Sequence, residues 1–196
     1  MNYSIRPIQS SEYTAISSFI AEGYKNDVFF HWCIDNDADR ARITAAYYHE
    51  YLKTEGCISH IATSEDGQII GATCWLPDDV DASLYERINA VTEQYKDNFQ
   101  MVADSSHANE PEQGPFYQLV GFVVRPDVRG CGIGAALLKT MLDDCDQKGI
   151  PTYLEASTPY HGDGVYGKFN YRPYGNLMHF TQEAVLYPLF RPAASC

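Results

Sequence analysis

The sequence predicts one mixed α/β domain, and three observations carry that expectation. Residues 57–76 read as an antiparallel hairpin, Phe116 to Ala156 read as strand, turn, helix and strand, and helical spacing fills most of the chain before and between them. At 196 residues, 45% apolar and 20% charged, the chain has the length and balance of a globular protein with a real core, so residues 1–196 are expected to form a single domain.

Each element has its own signal. Asn2 to Pro7 alternates Tyr3, Ile5 and Pro7 against polar neighbours, a short strand that proline ends. Ser10 or Ser11 then offers a cap for a helix with Tyr13, Ile16, Phe19, Ile20 and Tyr24 at helical spacing. NDVFFHW at 26–32 predicts a short capped helical turn crowded with aromatics, and Asp37 is placed to cap a longer helix through Ala45, Tyr48 and Leu52. Cys57–Thr63 and Gln68–Leu76 are β-rich runs joined by Ser-Glu-Asp-Gly, and Pro77 stops the second. Val80 to Val102 predicts one helix, followed by a polar loop over ADSSHANEPEQGP. FYQLVGFVV is the next strand, a helix runs to about Lys148, and Thr152–Ala156 is a strand. After a glycine-rich loop at 157–164 come a short helix at Val165–Phe169 and two strands near Arg172–Thr181 and Ala184–Phe190.

Composition narrows the function classes. With 26 acids against 14 bases the formal charge is −12, which disfavours nucleic acid or an anionic membrane as partner and suits a cationic small substrate, or solubility alone. The six cysteines include no C-x-x-C pair and no nearby histidine pair, so no metal site is expected. No signal-peptide pattern opens the chain, and no run reaches the ~20 apolar residues of a membrane span. A cytoplasmic protein with free thiols is the expectation.

The stretch VVRPDVRGCGIGAALL, 123–138, is the chemical centre of the sequence. A helix start presents unpaired N–H groups and a positive dipole end, so a strand-to-helix turn without side-chain bulk suits a phosphate. Gly130, Gly132 and Gly134 remove that bulk and Arg129 adds a cation. A Walker motif fails, because Lys139 and Thr140 lack the preceding glycine. A dinucleotide motif G-x-G-x-x-A matches Gly130, Gly132 and Ala135, with Glu155 ending the next strand, so a nicotinamide dehydrogenase stays open. Against it, RPDVR separates strand from glycine, and the antiparallel hairpin upstream does not suit a doubly wound parallel sheet.

The third pattern is R-x-x-G-x-G at Arg129, Gly132 and Gly134, preceded by Val124-x-Pro126 and followed by Leu137 and Leu138. Here the chain resembles the GNAT family of N-acetyltransferases over nearly its whole length. The resemblance implies the GNAT fold: α/β (α+β), with a central mixed, mostly antiparallel sheet flanked by helices and a pyrophosphate-binding strand–turn–helix. It implies acetyl-CoA as co-substrate, with the diphosphate on Arg129, Gly130, Cys131, Gly132, Ile133, Gly134 and Ala135. The pantetheine arm would lie on the backbone of Val123, Val124 and Arg125. VYGKFNY at 165–171 resembles the family's L-Y-x-K-x-G-F segment, placing Tyr166 where a tyrosine protonates the departing thiolate. Asn170 stands where the family has glycine, and asparagine tolerates a left-handed backbone. A finer resemblance, in NDVFFHW, ATCWLP and GIPTYLEAS, is to the puromycin N-acetyltransferase-like branch.

The chemistry expected is direct attack of a small-molecule primary amine on the acetyl thioester. Tyr166 is the candidate acid. Glu155 is the candidate base, with His161, Asp163, His107 and Glu110 as weaker ones and a water chain as the alternative. Tyr24, Asp27, Phe30, Trp32, Trp75 and Tyr117 are candidates for the acceptor pocket, since aromatic walls and an acid suit an amine with an apolar body. Two alternatives remain beside this reading: an acyl-CoA-binding module without turnover, and a homodimer built through the last strands in place of a monomer.

Overall fold

The computed structural model describes residues 2–112 and 114–194, so Cys196 and, within the expected loop, Gln113 lie outside the described residues. Strand β1 (Tyr3–Pro7) leads to helix α1 (Tyr13–Gly23) through a 3-10 turn, capped by Gln9 and Glu12 rather than by a serine. Helix α2 (Val28–Cys33) is capped by Asp27, whose carboxylate accepts the Phe29 and Phe30 amides at 3.0 and 3.3 Å. Helix α3 (Asp37–Lys53) starts one residue earlier than expected because Asn36, not Asp37, is its cap.

The hairpin forms as β2 (Ile58–Ser64) and β3 (Ile69–Pro77). The single helix expected over 80–102 is two, α4 (Ser83–Thr92) and α5 (Lys96–His107), joined by a 3-10 turn at Glu93–Tyr95. Helix α5 also runs five residues into the expected loop, Ala103 to His107, where Ser106 donates to Glu155 of the sheet at 2.9 Å. Strand β4 (Tyr117–Val124), helix α6 (Ile133–Lys148), strand β5 (Thr152–Ala156) and the one-turn helix α7 (Val165–Lys168) follow. The expected strand at 172–181 is interrupted: β6 (Arg172–Pro173) and β7 (Met178–His179) both pair with β8 (Val185–Arg191), and Gly175 (φ +61°) lies in the outward loop between them.

The sheet runs β1-β2-β3-β4-β5-β8-β6, with β7 also on β8. Only β4 and β5 are parallel, so the sheet is mixed and mostly antiparallel, as the resemblance implies. Helix α6 covers one face of the sheet through Leu138, Met141 and Leu142, which meet Trp75, Leu119 and Leu154. The opposite face packs α1 and α3 through Ile16, Ile20, Tyr48 and Leu52 onto Ile61, Ala72 and Cys74. Among the described residues, no helix is long and apolar enough to cross a membrane.

The loop carrying α7 is tied down at three points. Tyr171 shares a hydrogen bond with Thr152 at 2.7 Å, Tyr160 donates to the Tyr171 carbonyl at 3.0 Å, and Arg191 Nε donates to the Phe169 carbonyl at 2.9 Å. Arg191 is buried and grips Asp146 of α6 with two nitrogens at 2.8 and 2.6 Å, which holds the Asp146 carboxyl below its usual range. Asp146→Ala leaves a buried guanidinium unpaired, and we expect a loss of roughly 3 kcal/mol in urea unfolding, with the midpoint falling at unchanged m-value.

Candidate active site

The site originates in a sheet defect. Strands β4 and β5 pair only from Tyr117↔Thr152 to Leu119↔Leu154, and beyond that point they part. Opposite the parting, the β3–β4 register shifts between Cys74 and Trp75, which leaves Val120 as the extra residue of a bulge. A cavity of about 1730 Å³ opens there, and it reaches from the turn after β4 to helices α3, α4 and α5.

At one end lies the glycine turn. Gly130 and Gly132 sit at φ +80° and +83°, in the left-handed region, and a Cβ at either would meet no atom within 4 Å. Gly132 is also the N-cap of α6, whose first turn carries no acidic side chain. Gly134 answers to packing instead: a Cβ there would lie 2.9 Å from Cζ of Phe122, so the helix start rests directly on β4. Arg129 Nε donates to the Val124 carbonyl at 3.1 Å and folds the turn back onto the strand, while Arg125 pairs with Asp127 at 2.7 Å. An open cradle, a free helix start and an exposed guanidinium fit a diphosphate.

Cys131 is exposed and takes no part in the cavity wall; the other cradle residues line it. The backbone of Val123–Arg125 differs from expectation. Arg125 donates its amide to Ile70, and Val123 pairs with Ala72, so by the alternation of an antiparallel ladder both turn their polar edge to β3. Phe122 and Val124 are the residues that face the open side.

At the other end lies Glu155. Burial pushes its carboxyl up to about 7, opposed by hydrogen bonds from Ser106 of α5 at 2.9 Å and from Tyr153 at 3.1 Å, and helped by the charge of Glu110. Tyr166 lies between α7 and β4, its ring 6.1 Å from that of Phe122. Burial raises its phenol far above the ordinary value, and it forms no hydrogen bond among the described residues. Asn170 holds φ +66°, the conformation glycine would adopt.

Three of the acceptor candidates, Tyr24, Asp27 and Phe30, line the cavity. Three do not. Trp75 is fully buried beneath α6, because strand alternation turns it away from Cys74 and Leu76, and its Nε1 has no partner among the described residues. Tyr117 sits at the paired start of β4 against the same core. Trp32 stacks on Phe180 at 4.6 Å, outside the cavity. Of the other acid–base candidates, His107 and Glu110 pair at 3.3 Å on the cavity wall, whereas His161 and Asp163 stand outside it.

Sequence reasoning missed Tyr47, Tyr51, Ser106 and Phe122, all of which line the cavity. The pattern Tyr47, Tyr48, Tyr51 has the i, i+4 spacing of one helix face and could have marked the two outer tyrosines; Ser106 fell in the expected loop.

The sequence profile of the Acetyltransferase (GNAT) family matches residues 26–169, more than half of the chain. The chain belongs to the GNAT family. It is therefore an acetyltransferase of a family that uses acetyl-CoA, and the cradle above fits that donor's diphosphate. No curated protein matches in sequence. Among solved structures it is similar to a protein of Corynebacterium glutamicum described as histone acetyltransferase HPA2 and related acetyltransferase, with TM-score 0.72, 18% identity, and 100% and 99% of the two chains covered. It is also similar to arylalkylamine N-acetyltransferase 2 of Aedes aegypti, with TM-score 0.68, 13% identity, and coverage of 99% and 100%. The polyamine N-acetyltransferase of Drosophila melanogaster aligns with TM-score 0.59, 12% identity, and coverage of 97% and 100%. The dehydrogenase alternative falls on the sheet: a doubly wound dinucleotide fold needs parallel strands, and one pair here is parallel.

The Glu155 carboxyl also couples stability to pH. The folded group holds its proton to about pH 7 and the unfolded one releases it near 4.5, so the native state binds the extra proton between those values. Stability is then expected to fall by about 3 kcal/mol as pH rises from 4.5 to 7.5, and Glu155→Gln should remove that slope in urea titrations. His60, whose burial lowers its folded pKa, acts in the opposite sense in both proteins and cancels in the comparison.

Proposed function

We propose that this chain, as a single domain over residues 1–196, moves an acetyl group from acetyl-CoA to the primary amine of a small molecule by direct attack. The observation that carries the reading is one cavity lined together by the glycine cradle, Tyr166 and Glu155. When bound, acetyl-CoA supplies the activated acetyl thioester. The first turn of α6, with Arg129, holds the diphosphate, and anchoring at that remote point orients the reacting end.

Glu155 takes the proton of the arriving ammonium. A carboxyl that titrates near 7 matches the task at neutral pH, because about half of it is ionised there and the ionised form is basic enough to accept. Tyr166 keeps its proton over the working pH range and donates it at the sulfur as the C–S bond breaks, and the second proton that nitrogen sheds as the amide forms returns to the phenol, so coenzyme A leaves as the thiol. Asp27, Phe30, Tyr47 and Tyr51 wall the acceptor seat, a setting for an amine with an apolar body. The amine acceptors named for the insect relatives, arylalkylamines and polyamines, support a small amine over a macromolecule. The net charge of −12 supports the same choice against nucleic acid or an anionic membrane.

The finer likeness to the puromycin N-acetyltransferase branch belongs to this proposal. Two of its three segments meet: Ser157 donates to Asp27 Oδ2 at 2.5 Å. A cytoplasmic setting is supported by free thiols on Cys33, Cys57, Cys74, Cys131 and Cys145.

A thiol-release assay across a panel of small amines tests the reading: coenzyme A should appear with at least one, and its absence with folded protein refutes the proposal. kcat/KM should rise with pH along a limb centred near 7, where Glu155 loses its proton. Glu155→Gln should abolish that limb and lower the rate about 10²–10⁴-fold, and Tyr166→Phe should lower kcat about 10²-fold.

A further inference from the structure

The parting of β4 from β5 leaves backbone groups of β4 without a strand partner, and two tyrosines occupy the gap. Tyr48 of α3 donates to the Val120 carbonyl at 3.0 Å. The Tyr24 hydroxyl engages both polar groups of Phe122: it accepts the amide N–H at 3.0 Å and donates to the carbonyl at 3.3 Å. The rings stack at 5.6 Å and 11°, and Phe30 closes on Tyr24 from 5.2 Å, so the hydroxyl is fixed before any ligand arrives. Gly121 makes the approach of Tyr48 feasible, since a Cβ there would lie 3.0 Å from that ring.

The two bonds at Tyr24 are unequal. An O–H donor favours about 2.7–2.8 Å, so the bond to the Phe122 carbonyl is long and weak, whereas the bond received from the amide is of ordinary length. A received N–H polarises the phenol and strengthens its own O–H as a donor. Tyr166 approaches the same Phe122 from α7. The open edge of β4 at Phe122 is therefore flanked by two phenols.

We propose that the Tyr24 hydroxyl is the donor that receives the acetyl carbonyl oxygen, exchanging its long bond to the Phe122 carbonyl for one to the acyl group while keeping the Phe122 N–H. This rests on the reading of the cavity as an acetyl-donor site, and it makes Tyr24 a catalytic residue rather than a wall of the acceptor pocket. No proton is transferred; the bond shortens as negative charge gathers on the oxygen during attack. Burial pushes the Tyr24 phenol up to about 12, so it remains a donor at every pH at which the enzyme works.

Binding tests the assignment apart from turnover. S-acetonyl-CoA, a ketone that carries the carbonyl without a reactive thioester, and coenzyme A are titrated by calorimetry into wild type and Tyr24→Phe. The wild type should favour the ketone, and Tyr24→Phe should lose about tenfold of that preference with coenzyme A affinity unchanged. In turnover, kcat should fall about 10²-fold, while KM for acetyl-CoA rises by no more than about the tenfold lost by the ketone. Equal weakening of both ligands, or no change in either, overturns the assignment and leaves the acetyl-donor site intact. Failure of the wild type to bind either ligand overturns both. Should Tyr24→Phe not fold, wild type labelled with 13Cζ-tyrosine decides: the Tyr24 resonance must shift with the ketone and not with coenzyme A, and equal shifts refute the proposal.

Discussion

Everything in the site depends on the hydrogen bonds that β4 and β5 do not make. Three residue pairs of parallel ladder hold the strands together at one end, and past Leu119 and Leu154 they diverge. A sheet opened in this way exposes backbone donors and acceptors that water or a partner must satisfy. The protein meets the demand from side chains, with Tyr48 on Val120, Tyr24 on Phe122 and Arg129 on Val124. That arrangement keeps the gap open and its polar groups aligned, so a cavity replaces what would otherwise be sheet.

The gap also explains why the two ends of the site differ chemically. The cradle end follows β4 into α6, where helix geometry itself supplies N–H groups and positive potential. The far end is closed by α5 and by the tip of β5, which draw Glu155 back from bulk water and, among the described residues, give it two hydrogen-bond donors. Desolvation then raises the carboxyl, while the tyrosines around it are raised by the same cause and stay neutral. Glu155 can therefore ionise near pH 7 while the phenols beside it stay neutral, the property on which its proposed role rests.

Much of the fold was legible because the signals were local. Hydrophobic period located the strands through β5, the last strand and most helices, and the position of the glycine turn was legible, although two of its glycines answer to backbone conformation and the third, Gly134, to contact with Phe122. Asn170 took the left-handed conformation that its side chain tolerates. The break in the helix at Glu93–Tyr95 and the extension of α5 through Ala103–His107 were not legible, and both carry hydrogen bonds to residues far along the chain, Gln94 and Tyr95 to Asp39 and Ser106 to Glu155. Trp75 shows the same limit. Its sequence neighbours Cys74 and Leu76 face the α3 and α4 side, and only the sheet order reveals that Trp75 lies under α6.

By itself, the sequence determined the strand–turn–helix cradle and the short helix that carries Tyr166, since turns and helix starts are set by residues a few positions apart. The tertiary structure alone decided where β4 and β5 part, that Ser106 reaches Glu155 across 49 residues, and that Tyr24 meets Phe122 across 98. Those contacts join side chains to backbone groups whose availability depends on which strands fail to pair, and strand pairing is a property of the assembled sheet.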